Sequence, residues 1–432
     1  MSSIPSWLFL GVSLWGAWFT YNVFRPNFRH QRLSVASFIA GWLTGELALH
    51  HILWQAVCTA GFIWFGALRH TPGVVGLVIT LISWVALGYN IRNARKAGAA
   101  AESALAESLP DYDGSAVAES APTKIHWREV LFPFPLHGSN VERIKNIQYA
   151  RVGGLNLKLD VYRGWDKPTG CPVLLQIHGG AWIVGTKNEQ GVPLMRRVAE
   201  KGWVCVSIDY RLSPHATFPD HLIDVKRAIA WIRDHIEEYG GDPSRIVATG
   251  GSAGGHLCAL VGLTANDPRY QPGFEDVDTS MIACVPFYGV YDFTNRFGHW
   301  PHNGLGEILE KQVFKGSLDE VRQAYDEASP MSRVHAGAPP FFIMHGTHDT
   351  LVPVEDARQF ARLLREVSRE PVVYAEIPGA QHAFEIFASP RTDLVLGAVE
   401  RFLAWTLVHE AAKTATPEAP SGTAPQAARA SA

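Results

Sequence analysis

The sequence is short of charged residues, of cysteine and of any excess of basic side chains. Asp, Glu, Lys and Arg make up only 18% of its 432 residues, a low share for a chain that is soluble throughout, so we expect part of it to lie in lipid. The 38 Lys and Arg are balanced by 41 Asp and Glu, so no surplus of positive charge indicates a nucleic-acid partner. Five cysteines without a CxxC pair exclude a disulfide framework and a zinc ribbon.

Hydrophobic residues, 47% of the chain, are concentrated at its beginning. Residues 4–24 contain no charged side chain, and as a helix they would extend about 31 Å, close to the roughly 30 Å of a bilayer's hydrocarbon layer. Residues 71–91 form a second charge-free run of similar length. The first basic side chain, Arg25, follows the first run instead of preceding it, which favours a retained spanning helix over a cleaved signal peptide.

The segment between the two runs, residues 33–68, is interrupted by Glu46, His50 and His51. It is too long for one ordinary span and short for two. A carboxylate at membrane depth costs about 2.5 to 3.5 kcal/mol, so we expect Glu46 to contact another helix or the interface. A polar contact that holds helices together is favoured over a proton or ligand site within the membrane.

Clusters of basic residues flank the apolar runs and predict the topology. Both clusters are expected on the cytoplasmic side, which gives a three-span membrane region over residues 1–96, an N-terminus outside and a cytoplasmic remainder. Two crossings by residues 33–68 would invert this arrangement. The clusters are Arg25, Arg29 and Arg32, and then Arg92, Arg95 and Lys96.

Beyond residue 96 the composition changes twice. Residues 97–125 are rich in Ala, Ser, Glu and Asp with little apolar periodicity, which predicts a flexible linker. Residues 410–432, rich in Ala, Pro, Thr and Ser, predict a disordered tail. What remains, residues 126–409, predicts one large folded domain.

Short apolar runs alternate with helical patterns within residues 126–409. An alternation around Gly153 and Gly154 predicts an antiparallel hairpin, and the later runs lack polar alternation, as strands buried on both faces do. The predicted strands are 173–177, 204–208, 246–249, 282–286, 341–344 and 372–377, and the predicted helices are 193–201, 219–239, 253–264, 354–367 and 392–408. We therefore expect an α/β fold with a mostly parallel sheet covered by helices on both faces, and a site beyond the strands' carboxyl ends.

A glycine-rich turn follows the predicted strand at 246–249. Its sequence, GGSAGG at residues 250–255, contains the GxSxG pattern, in which flanking glycines let a serine occupy a strained turn from strand to helix. Ser252 is therefore the candidate nucleophile. A phosphate-binding loop is disfavoured, because the lysine of GxxxxGK[ST] and the GxGxxG spacing are both missing.

A serine nucleophile needs a base, and the base needs an orienting acid, each in a loop after a strand. Asp349 follows the strand at 341–344, and His382 follows the strand at 372–377. They are the candidate acid and base. His348 is disfavoured as the base because it adjoins the acid, and Asp356 is a weaker acid because it lies inside a predicted helix.

The tetrahedral intermediate needs backbone N–H donors aimed at its oxyanion. Ala253, directly after the serine, is one candidate donor, and Gly179 and Gly180 in the loop after the strand at 173–177 are the others. Trp182 is predicted to bind substrate by lining the acyl pocket, although packing beneath this loop is an equal alternative.

Other residues are predicted to shape the surroundings of the site. Asp209, Tyr210 and Arg211 are expected mainly to form a structural network below it. Residues 293–338 are too long for an ordinary connection and predict part of a lid. Candidates for an apolar substrate wall are His299, Trp300 and Phe314, and also Trp127, Phe132 and Phe134, unless these last three lie against the membrane.

Several motifs occur in one order that is similar to a known family. They are HGGAW at 178–182, DYRLSP at 209–214, GGDP at 240–243, GGSAGG at 250–255, HGTHDTLVP at 345–353 and GAQHAF at 379–384. Together they resemble the α/β-hydrolase family in its hormone-sensitive-lipase-like carboxylesterase branch, over about residues 145–405. The apolar front end extends the resemblance to membrane-anchored actinobacterial esterases and lipases.

The resemblance implies a Ser252–His382–Asp349 triad and oxyanion donors at Gly179, Gly180 and Ala253. Two positions depart from many members of the family: a third glycine after HGG is Ala181 here, and an acid before the nucleophile is Gly251. Because the HGGxW version also resembles kynurenine formamidases and plant prenylcysteine methylesterases, the acyl substrate is left open.

The sequence predicts a membrane-anchored serine carboxylesterase or lipase that hydrolyses hydrophobic or lipid esters and contacts membrane lipids. The first alternative is an amidase, arylformamidase or prenylcysteine methylesterase with the same triad. The second is a non-catalytic hydrolase-like membrane receptor, which is disfavoured because all three triad residues are kept. No HExxH motif, EF-hand loop or Cys/His cluster occurs, so no cofactor or metal ion is predicted.

Overall fold

Eight strands form one twisted sheet that carries most of the chain's core. The structure, a computed structural model, describes residues 3–112, 125–133 and 140–415. The strands lie in the order β1-β2-β4-β3-β5-β6-β7-β8. They are β1 (Val141–Val152), β2 (Leu155–Gly164), β3 (Cys171–Ile177), β4 (Val204–Ile208), β5 (Gly241–Gly251), β6 (Ala283–Phe287), β7 (Phe341–Gly346) and β8 (Val372–Ile377).

The sheet is antiparallel at one edge and parallel elsewhere. The hairpin β1–β2 turns at Gly153 and Gly154, whose positive φ angles of 56° and 83° suit glycine, and β2 then pairs antiparallel with β4. From β4 through β8 every neighbouring pair is parallel. Every residue of β3, β4, β6 and β7 is buried, which explains why these runs lack polar alternation. The mostly parallel α/β sheet predicted from the sequence is confirmed.

Helices cover both faces of the sheet and also precede it. Two separate hydrophobic clusters fill the two faces, one centred on residues such as Ile229 and Phe360 and the other on residues such as Met195 and Phe402. The helices are α1 (Ile4–Phe24), α2 (Gln31–Glu46), α3 (Ala48–Trp64), α4 (Thr71–Asn93), α5 (Arg95–Ser108), α6 (Trp127–Leu131), α7 (Val192–Ala199), α8 (Asp220–His235), α9 (Ala253–Leu263), α10 (Gly304–Ile308), α11 (Arg322–Ala328), α12 (Val354–Val367) and α13 (Pro390–Ala415).

The four helices α1–α4 form a separate apolar layer, called here the N-terminal helices. The two charge-free runs are helical, as α1 and α4, whereas residues 33–68 fold into α2 and α3 with an 89° bend between them. Among the described residues, Thr71–Ser108, α4 continued by α5, is the one helix long and apolar enough to cross a membrane. The bent α2–α3 pair adds a second only if it counts as one span, so the multi-pass prediction is not supported.

The prediction of a flexible linker from residue 97 is wrong for its first part. Residues 95–108 form α5, whose buried side chains recur at helical spacing and pack in the same cluster as Met195 and Phe402. Those side chains are Ala97, Ala101, Ala104 and Leu105. Alanine is a strong helix former, so a composition typical of linkers here builds a helix. Residues 113–124 lie outside the described residues, as do residues 416–432 of the predicted tail beyond α13.

Candidate active site

Ser252 lies on a sharp turn between β5 and α9, with φ 58° and ψ −121°. The glycines around it leave no room for side chains. A Cβ at Gly250 would lie 2.5 Å from the carbonyl oxygen of Ile177, and one at Gly251 would lie 2.5 Å from the Tyr288 hydroxyl. Steric exclusion therefore explains why glycines flank the serine. Ser252 is half-buried, and its backbone N–H donates to the Phe287 carbonyl at 3.0 Å.

The predicted acid and base come together in the fold. Nδ1 of His382 lies 2.6 Å from Oδ2 of Asp349, in loops that follow the neighbouring strands β8 and β7. The other oxygen of Asp349 accepts hydrogen bonds from the N–H groups of Leu351 and Val352, both at 2.8 Å. Burial opposes ionisation of Asp349, but His382 and His345 outweigh it and hold the pKa of this carboxyl well below its usual range.

His345 is a functional candidate to which sequence reasoning gave no role. Its Nε2 lies 3.2 Å from Asp349 Oδ2 and 3.0 Å from the Val352 carbonyl oxygen, and the side chain is fully buried. Because both neighbours are hydrogen-bond acceptors, Nε2 is the protonated nitrogen. His345 thus helps to orient the acid. The sequence signal that could have identified His345 is its place at the end of the buried strand β7, four residues before Asp349.

Tyr288 lies between the serine turn and the predicted base. Its ring centroid is 4.5 Å from that of His382, and its hydroxyl donates to the buried carboxylate of Glu385. Although Ser252 and His382 both belong to the described part of the chain, no hydrogen bond joins the serine hydroxyl to the imidazole in this conformation. Such bonds often tighten only when substrate binds. The structure thus joins acid to base and brings the serine turn alongside.

The loop after β3 lies against the serine, with a Cβ added at Gly179 only 3.1 Å from that of Ser252. The N–H of Gly179 donates to Oε1 of Gln190 at 2.6 Å. This corrects the prediction for Gly179, because its amide is already engaged in this conformation. Gly180 and Ala253 remain the predicted donors, the latter as the first residue of α9, where the helix dipole is positive.

Trp182 packs below this loop and is 2% exposed. Its indole N–H donates to Nδ1 of His256 at 3.2 Å, and its ring makes an edge contact with Phe293. This placement favours the packing alternative over the predicted substrate contact. The loop is supported further by Tyr210, whose ring stacks on His178 at 4.3 Å and whose hydroxyl donates to the His178 carbonyl.

The expected structural role of the segment 209–211 agrees with its contacts. Asp209 forms an ion pair of 3.2 Å with Lys187, and Arg211 donates twice to the buried carboxylate of Asp224. These ion pairs connect the loops below the site. They do not involve the turn at Ser252.

The two rivals for the acid and base have other partners. The Asp356 carboxylate accepts from the backbone N–H groups of Tyr291 and Asp292, and burial, the larger cause, raises its pKa. Nδ1 of His348 lies 2.9 Å from the Val23 carbonyl oxygen. Neither side chain forms a hydrogen bond with His382 or Ser252, all of which are described residues.

The predicted lid segment, residues 293–338, contains α10 and α11. His299 and Trp300 line a cavity of about 430 Å³ together with Phe28 and Asp349, so their role as a substrate wall stays a prediction. Phe314 is instead buried, stacked on Tyr325 at 4.0 Å. Of the remaining wall candidates, Phe134 lies outside the described residues, and Trp127 and Phe132 are exposed.

Helix α2 lies against the loops that carry the predicted acid and base, which the sequence did not indicate. The hydroxyl of Thr350 donates to the Ser34 carbonyl at 2.9 Å, and Glu46 pairs with Arg391 at the start of α13. The prediction that Glu46 makes a structural polar contact with another helix is therefore supported, and that helix is α13, which follows the sheet.

Comparison with known proteins agrees with this geometry. A family profile described as BD-FAE matches residues 159–364. A probable carboxylic ester hydrolase, LipM of Mycobacterium tuberculosis, is 42% identical over 400 residues, covering 89% of this chain and 90% of LipM. The esterase LipQ of the same organism is 46% identical over 269 residues, covering 62% of this chain and 63% of LipQ.

A solved structure supports the fold independently. A truncated form of a carbohydrate esterase from gut microbiota matches with a TM-score of 0.55 and 21% identity, covering 63% of this chain and 99% of that one. At this identity the likeness concerns the arrangement of strands and helices only.

Proposed function

The chain belongs to the α/β-hydrolase family of carboxylic ester hydrolases that includes LipM, and from that membership we propose a membrane-anchored serine carboxylesterase or lipase acting on hydrophobic or lipid esters. The observation that carries the proposal is the 2.6 Å contact between His382 and Asp349 beside the strained turn at Ser252. A buried carboxylate on Nδ1 leaves Nε2 of the imidazole to act as a base.

In the proposed reaction the Ser252 hydroxyl oxygen attacks the ester carbonyl carbon while His382 Nε2 takes its proton. The tetrahedral intermediate then collapses, the bond to the alcohol oxygen breaks, and His382 returns the proton to the departing alcohol. Water attacks the acyl-enzyme through the same steps and releases the acid. The low pKa of Asp349 keeps it ionised, so its charge stabilises the imidazolium during both halves.

The oxyanion would be held by the backbone N–H groups of Gly180 and Ala253. Gly180 has a φ of 114°, and the next two residues, Ala181 and Trp182, also have positive φ angles of 51° and 62°. This backbone directs successive amide groups away from the regular strand, which supports their role as oxyanion donors. Removing one such donor typically lowers the rate by about 100- to 1,000-fold.

Exposed apolar side chains support attachment to a membrane. Large aromatic residues of the N-terminal helices are more than half exposed, an arrangement that is stable only if something apolar covers it. They include Trp7, Trp15, Tyr21, Trp64 and Tyr89. Arg92, Arg95 and Lys96, at the end of the apolar part of the candidate span Thr71–Ser108, favour a catalytic region on the cytoplasmic side. Because the site adjoins this apolar layer, hydrophobic esters are the proposed substrates.

The decisive experiment is Ser252→Ala in the full-length, detergent-solubilised protein. We expect hydrolysis of short p-nitrophenyl esters to fall by about 10⁶-fold and labelling by a fluorophosphonate to disappear. Ser244→Ala, at an exposed serine, is the matched control and should retain both. Turnover in Ser252→Ala close to that of the wild type would overturn the assignment. Comparing esters with aryl formamides of equal size separates an esterase from a formamidase.

A further inference from the structure

Helix α2 contacts both loops that carry the predicted acid and base. The indole N–H of Trp42 donates to the carbonyl of Ala383, the residue after His382, at 2.8 Å, and its ring stacks on Phe387 at 5.0 Å. On the other loop, Thr350, the residue after Asp349, donates to the Ser34 carbonyl. The helix therefore touches the direct neighbours of both residues in the acid–base pair.

A buried ionic contact holds the end of α2 in this position. Glu46 is 4% exposed and pairs with Arg391, which is 3% exposed. The hydroxyl of Ser389 donates to Glu46 at 2.6 Å, and Arg391 also donates to Asn90 of α4 at 3.4 Å. A charge in such a pair cannot lose its partner without a large cost, so the position of α2 is well defined.

Phe38 lies one helical turn before Trp42 and points at the predicted base. Its ring stacks on that of Trp42 at 5.2 Å and meets the His382 ring edge-on at 5.9 Å and 79°. Phe38 is half-buried, so part of its ring remains accessible. An aromatic ring at this place can contact whatever group approaches His382.

We propose that α2 is a wall of the active site and that Phe38 is a specificity-determining residue that contacts the alcohol portion of the ester. The inference rests on the proposed function. In an ester hydrolase the imidazole donates its proton to the alcohol oxygen, so the alcohol portion must lie next to His382. The side chain that lines His382 from α2 therefore meets this portion, and an apolar alcohol gains most from the contact.

The test uses two series of esters and three proteins. One series keeps the butyryl group and lengthens the alcohol from methyl to hexyl; the other keeps ethanol and lengthens the acyl group. Phe38→Ala is compared with the wild type and with Ile39→Ala, a control on the same helix whose side chain is 47% exposed. The measured quantity is kcat/KM for each ester.

For Phe38→Ala we expect kcat/KM for hexyl butyrate to fall by about tenfold relative to methyl butyrate, since apolar contacts in a pocket discriminate on this scale. Phe38→Ala should keep the wild-type profile across the acyl series, and Ile39→Ala should keep it across both series. An unchanged alcohol profile in Phe38→Ala, or an equal change in both series, would overturn the inference. Phe38→Leu, which retains most of the bulk, should give an intermediate profile and serves if the alanine variant does not fold.

Fluorophosphonate labelling separates failure of the inference from failure of the proposed function. Equal labelling of the wild type and Phe38→Ala with identical alcohol profiles removes the role of Phe38 and leaves the esterase in place. If Ser252→Ala still hydrolyses both series, the esterase mechanism itself is wrong, and the inference about the alcohol fails with it.

Discussion

The N-terminal helices and the sheet use similar apolar residues in opposite ways. In β3, β4, β6 and β7 every side chain is buried, whereas in α1 Trp7 and Trp15 are 61% and 62% exposed. The sheet buries its apolar side chains within the fold, whereas α1 leaves large apolar side chains exposed, as surfaces that bind a partner or a membrane do. The two regions thus differ in how much of their apolar surface the chain itself covers, although hydrophobic content alone does not distinguish them.

The contact between the regions combines polar links with the aromatic contacts of Phe38 and Trp42. The polar links join Ser34 and Trp42 to the loops that carry the predicted acid and base, and a buried ion pair joins Glu46 to Arg391 at the start of α13. Polar contacts specify one relative position, because they lose their partners when they shift. The sheet region therefore carries the predicted catalytic residues, and the polar contacts hold the N-terminal helices in one position against them.

The largest effect is expected where the chemistry depends on the sheet alone. Asp349→Asn removes the charge that orients His382, so kcat should fall by about 10³- to 10⁴-fold. Asp319→Asn, at an exposed aspartate, is the control and should keep wild-type rates. Activity within tenfold of the wild type would mean that another acid orients the imidazole. The proposed division of roles between the sheet region and the N-terminal helices would then not hold. The readout is steady-state hydrolysis of a p-nitrophenyl ester.

A smaller effect is expected at the contact between the regions. Glu46→Gln or Arg391→Gln leaves a buried charge unpaired and should cost about 3 to 5 kcal/mol of stability, while the double variant should cost less than the sum. Thermal inactivation of the detergent-solubilised protein measures this. Glu366→Gln, in an exposed pair with Arg362, should change stability by less than about 1 kcal/mol. Additive losses at Glu46 and Arg391 would show that the regions are not coupled through this pair.

The smallest effect concerns Glu385, a buried carboxyl near both regions. Burial raises its pKa from 4.5 to about 7; the Tyr288 hydrogen bond opposes the shift, and Glu46 adds to it. The folded state then binds an extra proton between these values, so stability falls as pH rises through this window. Glu385→Gln should lack this fall and gain up to ~3 kcal/mol on the wild type above pH 7. If the unfolding midpoints of the wild type and Glu385→Gln change in parallel from pH 5 to 8, the raised pKa of Glu385 is contradicted.

The strands and helices of the sheet region could be predicted because their signals are local. The bounds of β4, β8 and α12 agree with the prediction at both ends, since buried apolar runs and amphipathic periodicity depend on near neighbours. Residues 97–108 resemble a linker in sequence because they are rich in Ala, Ser and Glu and show little apolar periodicity. They become helical by packing on α13 and β8, which lie far along the chain.

The sequence by itself determined the order of serine, acid and histidine, each after a parallel strand, because parallel strands end at one edge and bring those loops together. It also indicated the strained turn at Ser252 through its flanking glycines, although the atoms that exclude side chains there include those of Ile177 and Tyr288 from other strands and loops. Only the tertiary structure decided that the Gly179 amide is taken by Gln190, that Trp182 is buried, and that Glu46 meets Arg391 from 345 residues away. Such contacts depend on how distant elements pack, and no local pattern encodes that packing.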